Sequence, residues 1–426
     1  MSRLIFGLCA GGIGLACCLP GVAHGAASET TVYSFCSQAN CADGSYPDAG
    51  MLDINGTLYG TTAGGGANDQ GTVFTIDPGT GAETVLYSFC SKTNCSDGSF
   101  PDINLIEVNG KLYGTTGFGG NADDGAVFSL DISTGREKVL YSFCSQQNCT
   151  DGADPYAGLV DVKGTLYGTT ANGGANCESN GGCGTVFALD PRTGAETVLY
   201  SFCSQQNCTD GKYAYAGLVE VKGMLYGTTG YGGADNYGTV FALDPTTGTE
   251  TVLHSFAGDP DGGMPYASLI KVNDKLYGTT SAGGTGYCFY LGTGGCGTVF
   301  AFDLKTGTES QIYAFCSQEN CVDGANPFAN LIDVGGMLYG TTVYGGANDR
   351  TCNDNGCGTV FSIGLQNRVE QVLYSFCKEM NCADGSQPNG SLVDVGGTLY
   401  STTYVGGAGE SNECVAGCGV VFAVTP

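Results

Sequence analysis

The chain has 426 residues, of which 13% are charged, with 73 Gly, 23 Cys and no Trp. Gly, Thr, Val, Tyr and Phe dominate and no long apolar helical face occurs, which excludes a helical bundle and predicts an all-β fold with a large core. The formal net charge of −26, about −27 once a leader containing Arg3 is removed, makes nucleic acid and anionic lipid poor partners.

Residues 1–27 read as a secretory signal peptide: Arg3, the apolar run LIFGLCAGGIGLACCLPGVA, then small residues around Ala23, Gly25 and Ala27 suited to cleavage. A lipoprotein anchor at Cys18 fits poorly, because Cys17 stands where Gly, Ala or Ser is wanted. At Cys17 the fit fails too, with Gly14 in place of Leu. No other stretch is long and apolar enough to span a membrane. The expected destination is therefore the periplasm or the cell exterior, and residues 28–426 are expected to form one domain.

That domain opens on TVYSF (31–35), a strand signal without a partner before it. A segment then repeats seven times around the anchor L-Y-G-T-T, with its Tyr at 59, 113, 167, 226, 277, 339 and, as LYSTT, 400. A period of 51 to 62 residues that cannot bury itself alone marks stacked repeats or a propeller. Each copy offers four short strands; in the third these are LVDV (159–162), LYGTT (166–170), GTVFALD (184–190) and ETVLYSF (196–202).

The turns fix which strands are neighbours. Strands one and two are joined by NG, NG, KG, KG, ND, GG and GG, residues that tolerate the positive φ of a type I′ hairpin. Strands three and four are joined by PGTG, ISTG, PRTG, PTTG and LKTG, with LQNR (365–368) the one departure. The link from strand four to the next copy takes roughly fifteen residues, which suits a passage from the outer edge of one blade to the innermost strand of the next. The chain ends on GVVFAVTP (419–426), a third strand with no fourth. Pairing 31–35 with 419–425 completes the last blade and predicts a closed, seven-bladed β-propeller of four-stranded antiparallel blades, where an open solenoid would leave two bare edges. The Tyr and Phe of YSF, TVF and LYGTT are expected to pack between blades.

At LYGTT, the following GG pair, GTVF and this period, the chain resembles the GloVer tandem-repeat propellers across residues 31–426, and more loosely the kelch repeats, which normally carry a Trp. Proteins of the GloVer group look secreted and often carry a C-terminal anchoring segment, which is not seen before Pro426. The resemblance implies no established activity.

Twenty cysteines remain once Cys9, Cys17 and Cys18 leave with the leader. Twelve form C-x-x-x-x-C pairs just after YSF: Cys36–Cys41, Cys90–Cys95, Cys144–Cys149, Cys203–Cys208, Cys316–Cys321 and Cys377–Cys382. Eight lie in the GG loops: Cys177–Cys183, Cys288–Cys296, Cys352–Cys357 and Cys414–Cys418. Each loop holds two or none, as expected for disulfides internal to each loop in an oxidising compartment. Zinc would need four converging Cys or His ligands, and the mature chain has one histidine, His254. No metal or other cofactor is expected. Both loop types emerge on one propeller face, so every disulfide is predicted there, either to present a binding surface or to resist proteolysis.

An Asp-Gly pair occurs in all seven long loops, at Asp43, Asp97, Asp151, Asp210, Asp261, Asp323 and Asp384. One Asp per blade does not supply the six to eight oxygens of a calcium site, and a turn-forming Asp accounts for the pattern. A more informative position fails to repeat. Just before the innermost strand, at the expected mouth of the central channel, stand Asp48, Asp102, Tyr156, Tyr215, Tyr266, Phe328 and Asn389. Around a closed ring, Asn389, Asp48 and Asp102 are adjacent and face an arc of four aromatics. That contrast suits a sugar or a cationic group; the competing reading is that the rings fold inward as a plug.

Catalysis has little support. One histidine in a structural strand builds no Ser/His/Asp set, and no phosphate loop or free mature Cys occurs. Asp48 and Asp102 could serve as a glycosidase-like carboxylate pair, but so could many pairs among 41 acidic residues. The sequence therefore favours a non-catalytic, monomeric binding module for a glycan, peptide or protein over a carbohydrate-active enzyme (hydrolase or lyase) or a structural surface or matrix protein.

Overall fold

In the computed structural model, which describes residues 27–101, 103–176, 182–286, 288, 294–348, 352, 355–408, 414 and 416–426, every repeat folds as a four-stranded antiparallel sheet. Blade one comprises Leu52–Ile54, Thr57–Thr62, Thr72–Asp77 and Ala82–Ser88, in that order from the channel outwards. The short first strands of adjacent blades touch one another, which places them innermost. The hairpin turns behave as their residues require: Asn55, Asn109, Lys163, Lys222 and Asn273 all adopt left-handed φ near +55°.

Blade seven is made of Val393–Val395, Thr398–Thr403 and Val420–Thr425, and its outer strand is Ser28–Ser34 from the other end of the chain. Ser28 pairs with Thr425 and Ser34 with Val420, with a bulge between Thr31 and Tyr33. The same bulge recurs between strands three and four of the other six blades. The closing pair is therefore an ordinary member of the set, and the ring closes between the two ends of the chain. The strand begins three residues earlier than TVYSF because Ser28, Glu29 and Thr30 also find partners.

One hairpin departs from the rest. Where five strand-three-to-four turns place Gly at positive φ (Gly81, Gly135, Gly194, Gly248, Gly307), blade six has Arg368 at φ 55°. A non-glycine residue there costs about 1 kcal/mol, partly offset by the bond from Arg368 Nη1 to the Gln311 carbonyl at 3.3 Å. Arg368→Gly should therefore raise the chemical denaturation midpoint. An unchanged or lowered midpoint would mean that the hydrogen bond outweighs the strain.

The seams between blades hold three sevenfold features. Phe35, Phe89, Phe143, Phe202, Phe256, Phe315 and Phe376, just beyond the outer strands, are fully buried. Each meets edge-on the Phe of TVF in the next blade, from Phe35–Phe74 to Phe376–Phe422, at centroid distances of 4.9 to 5.1 Å. The tyrosine of YSF does more than pack. Tyr33, Tyr87, Tyr141, Tyr200, Tyr313 and Tyr374 donate from their hydroxyls to the Asp of the following Asp-Gly pair at 2.7 to 2.8 Å. In the fourth blade His254 Nε2 takes this place, 3.1 Å from Asp261.

The third feature is a glutamate four residues before each of these rings: Glu29, Glu83, Glu137, Glu196, Glu250, Glu309 and Glu370. Each faces the Tyr (or His254) and the Asp of the preceding blade; Tyr87 and Tyr313, for example, stand 3.4 Å from Glu137 and Glu370. Among the described residues, one Oε of Glu83, Glu196, Glu309 and Glu370 and both of Glu250 are buried without a hydrogen-bond partner. Burial, and the facing Asp next, push Glu29, Glu83, Glu196, Glu250 and Glu370 up to about 7. Glu309 is also pushed up to about 7 by burial, with His254 pulling against it and Asp261 adding to it. At one seam a cation is built in: Lys92 Nζ lies 2.7 Å from Glu137.

Candidate ligand site at the channel mouth

Nine disulfides join the predicted pairs within their loops: Cys36–Cys41, Cys90–Cys95, Cys144–Cys149, Cys203–Cys208, Cys288–Cys296, Cys316–Cys321, Cys352–Cys357, Cys377–Cys382 and Cys414–Cys418. The predicted tenth, Cys177–Cys183, involves Cys177, which lies outside the described residues, as do 1–26 and Asp102. The two stapled loops of a blade lie together: the sulfurs of Cys36, Cys41, Cys414 and Cys418 are all within 4.8 Å of one another.

The Asp-Gly carboxylates are occupied by their own loops. Asp43 is fully buried and accepts from Ser37 N and Oγ at 2.9 Å, Tyr33 at 2.8 Å and Gln38 N at 3.3 Å. Asp97, Asp151, Asp210 and Asp323 repeat this set, Asp384 does so without the serine, and Asp261 accepts from Ala257 N and faces His254. For Asp97, desolvation pulls upwards, but the hydrogen bonds from Tyr87, Ser91 and Lys92 together hold it below the usual carboxylate range. This is the bonding of a turn-forming Asp.

From each of these loops the chain crosses to the channel over the preceding blade. The glycine that opens strand three receives it: a Cβ on Gly71 or Gly358 would fall 2.5 Å from Cδ of Pro101 or Pro388. The first Thr of LYGTT then ties the crossing segment down from inside. Thr402 donates to Ala49 O at 2.9 Å, Thr115 to Pro155 O at 2.8 Å and Thr169 to Ala216 O at 2.8 Å. The repeated T-T and G-T-V-F thus serve to place a position that does not repeat.

Six of the seven predicted mouth residues, Asp48, Tyr156, Tyr215, Tyr266, Phe328 and Asn389, line one cavity of about 320 Å³ on the channel axis. The rings form a wall around it. Tyr156 stands 6.4 Å from Tyr215, Tyr215 stands 5.3 Å from Tyr266, and Tyr266 stacks on Phe328 at 5.5 Å and 14°. Tyr266 is steadied by a hydroxyl bond to Tyr231 at 3.0 Å. Beyond Tyr156 the rings continue to Phe118 and then Phe100, neither of which lines this cavity. Burial pushes the Tyr215 and Tyr266 phenols up, so both remain neutral donors. No Lys, Arg or His is among the described residues lining the cavity.

Deeper in the same cavity lies a polar belt, two residues further along each crossing. Gly50 N donates to Asn104 Oδ1 at 2.7 Å, Gly217 N to Ser268 Oγ at 2.8 Å, Ser268 N to Asn330 Oδ1 at 2.6 Å and Asn330 N to Ser391 Oγ at 3.2 Å. Each bond joins neighbouring blades at the channel, between sheets that share no strand ladder.

A model of the Gloeobacter/Verrucomicrobia repeat matches residues 21–209, 96–293 and 178–422. The chain belongs to this repeat family. Comparison with curated proteins gave no match. Among solved structures it is similar to an oligogalacturonate lyase in complex with manganese, at 12% identity and TM-score 0.53, over 94% of this chain and 96% of the other. An oligogalacturonate lyase from Vibrio parahaemolyticus is similar at 9% identity and TM-score 0.50, over 94% and 97%. At these identities the likeness is one of fold.

Within the Gloeobacter/Verrucomicrobia repeat, sequence reasoning missed a second ring of varying residues. Two positions before the mouth stand Tyr46, Phe100, Asp154, Tyr213, Met264, Asn326 and Gln387, all with φ between 53° and 59°. Each donates its backbone N–H to the preceding blade, Tyr46 to Cys418 O and Phe100 to Gln70 O for example. The Asp154 carboxyl there is raised by burial, against the bond from Asn172 at 2.6 Å. The signal was available, since these residues vary in register while their neighbours repeat.

Proposed function

We propose that this protein is a secreted, non-catalytic binding module that holds a sugar at the mouth of its channel. The observation that carries this reading is the cavity of about 320 Å³ walled by Tyr156, Tyr215, Tyr266 and Phe328, with Asp48 and Asn389 opposite. Aromatic faces stack on the C–H faces of a sugar ring while carboxylate and amide oxygens take its hydroxyls. Loop-local disulfides hold the face still, so little ordering entropy is lost on binding. Export agrees with the disulfide count, since such bonds persist in oxidising compartments.

The polyanion named for the fold neighbours is a poor candidate here. An acidic oligosaccharide wants basic partners, and the lining offers Asp48 and no cation among the described residues.

The test is a glycan array followed by titration calorimetry on the hits. Tyr215→Ala should weaken the best sugar about 10- to 100-fold, and Asp48→Asn should weaken it by a smaller factor. Absence of any sugar ligand, binding of a quaternary ammonium probe such as choline alone, or a Tyr215→Ala variant that binds as the parent does would overturn the proposal.

A further inference from the structure

The aromatic wall of the mouth runs from Tyr156 to Phe328 and gives way to Asn389 and Asp48 at blades seven and one. There Asp48 and Asn389 border a second cavity as well, a groove of about 620 Å³ that runs outwards on the same face. Its lining carries the rings of Tyr46 and Tyr404, 5.1 Å apart and inclined at 32°, and the ring of Phe100. Tyr404 is 37% and Phe100 39% exposed, uncommon values for rings in a chain whose other aromatics are mostly packed.

Tyr46, Phe100 and Gln387, all on this groove, are held at φ 57°, 53° and 56°. A bulky residue is strained in this left-handed conformation, and glycine would not be. The chain has 73 glycines and uses none at any of the seven equivalent positions. At Tyr46 and Phe100 the groove therefore carries a large ring where glycine would be unstrained.

We propose that the groove is a second subsite, which takes the further units of a linear, non-acidic oligosaccharide whose leading unit sits in the mouth. This rests on the sugar reading of the mouth and adds the length and direction of the ligand. Asp48 and Asn389, shared by both cavities, would bridge successive units. Tyr46, Tyr404 and Phe100 provide the next stacking faces, and Asp69 adds an acceptor further out. Among the described residues lining the groove there is again no Lys, Arg or His, so a uronate or sulfated chain is disfavoured.

The experiment is calorimetry with cello-, manno- and chito-oligosaccharides of one to six units, with oligogalacturonate as the acidic control. Proteins are the parent, Tyr215→Ala, Tyr404→Ala and Phe100→Gly. Affinity should rise at least about tenfold from one to four units. Tyr404→Ala and Phe100→Gly should remove that gain and leave the single-unit affinity intact, whereas Tyr215→Ala should weaken every length. Phe100→Gly relieves the left-handed strain, so it should melt no lower than the parent, which keeps the test open if Tyr404→Ala folds poorly. Affinity independent of length, or groove variants that bind the longer chains like the parent, overturns the groove and leaves the mouth reading standing. Tightest binding by oligogalacturonate overturns the non-acidic assignment. No binding at any length overturns both.

Discussion

Deletion of residues 28–35 should leave a chain that does not complete its ring and does not persist as a folded monomer. The deletion removes the outer strand of blade seven, Ser28–Ser34, and exposes Val420–Thr425 as an unpaired edge. It also removes Phe35, which is fully buried against Phe74 of the next blade. Loss of such a ring alone costs about 3–5 kcal/mol, and the lost strand adds its ladder and the packing of Val32 and Tyr33. Total stabilities of about 5–15 kcal/mol leave little margin. Two measurements check this: melting and size exclusion of the deletion variant, and rescue by an added peptide spanning 28–38, which can occupy the vacant edge as a strand in trans. A deletion variant that is monomeric and melts with the parent would show that closure contributes nothing.

Stability should fall as pH rises from about 5 to 8, contrary to the usual behaviour of carboxylates in folded proteins. Six seam glutamates, Glu29, Glu83, Glu196, Glu250, Glu309 and Glu370, titrate at about 7 in the fold against the ordinary 4.5. Between those values the folded state holds more protons than the unfolded one. The favourable contribution is thus complete below 4.5 and is lost as pH rises through 7. A group that keeps its proton throughout that window contributes about 1.4 kcal/mol per pH unit; the realised slope is a fraction of this, because the side chains retain solvent contact. Six such groups still imply a fall in Tm of about 5 °C or more between pH 5.5 and 8.

Overall negative charge also weakens the fold at high pH, and one substitution separates the two effects. Glu250→Gln removes the carboxylate with both oxygens buried and unpartnered, so it should raise Tm at pH 8 and change it little at pH 5. The Lys92 seam gives a second control: Lys92→Ala strips the counter-charge from Glu137 and should steepen the pH dependence. A Tm that is flat or rises from pH 5.5 to 8, or a Glu250→Gln variant that melts lower at pH 8, would refute the seam account.

The glutamates show how a legible signal was passed over. All seven stand four residues before the YSF ring, an invariance as plain as that of LYGTT, yet a charged residue alternating with apolar ones in an edge strand reads as a solvent-facing position. Its burial comes from the adjacent blade's Tyr and Asp, which no single repeat contains. The mouth residues were found because they broke the repeat at a position whose place in the ring was already fixed. Tyr46 and Phe100 were passed over because a left-handed backbone is signalled by Gly or Asn, and here the residues are large.

The sequence by itself determined what local chemistry controls. Turn residues set the hairpins, cysteine spacing set the loop-local bridges, and an orphan strand at each end set the closure of a seven-bladed ring. Only the tertiary structure decided what closure brings together: seam carboxylates facing one another across blades, and a groove that joins Tyr46 and Phe100 to Gln387 and Tyr404 near the far end of the chain. The physical reason is separation along the chain. A turn is fixed by two to four neighbouring residues, whereas these contacts exist only once the first blade has packed against the last.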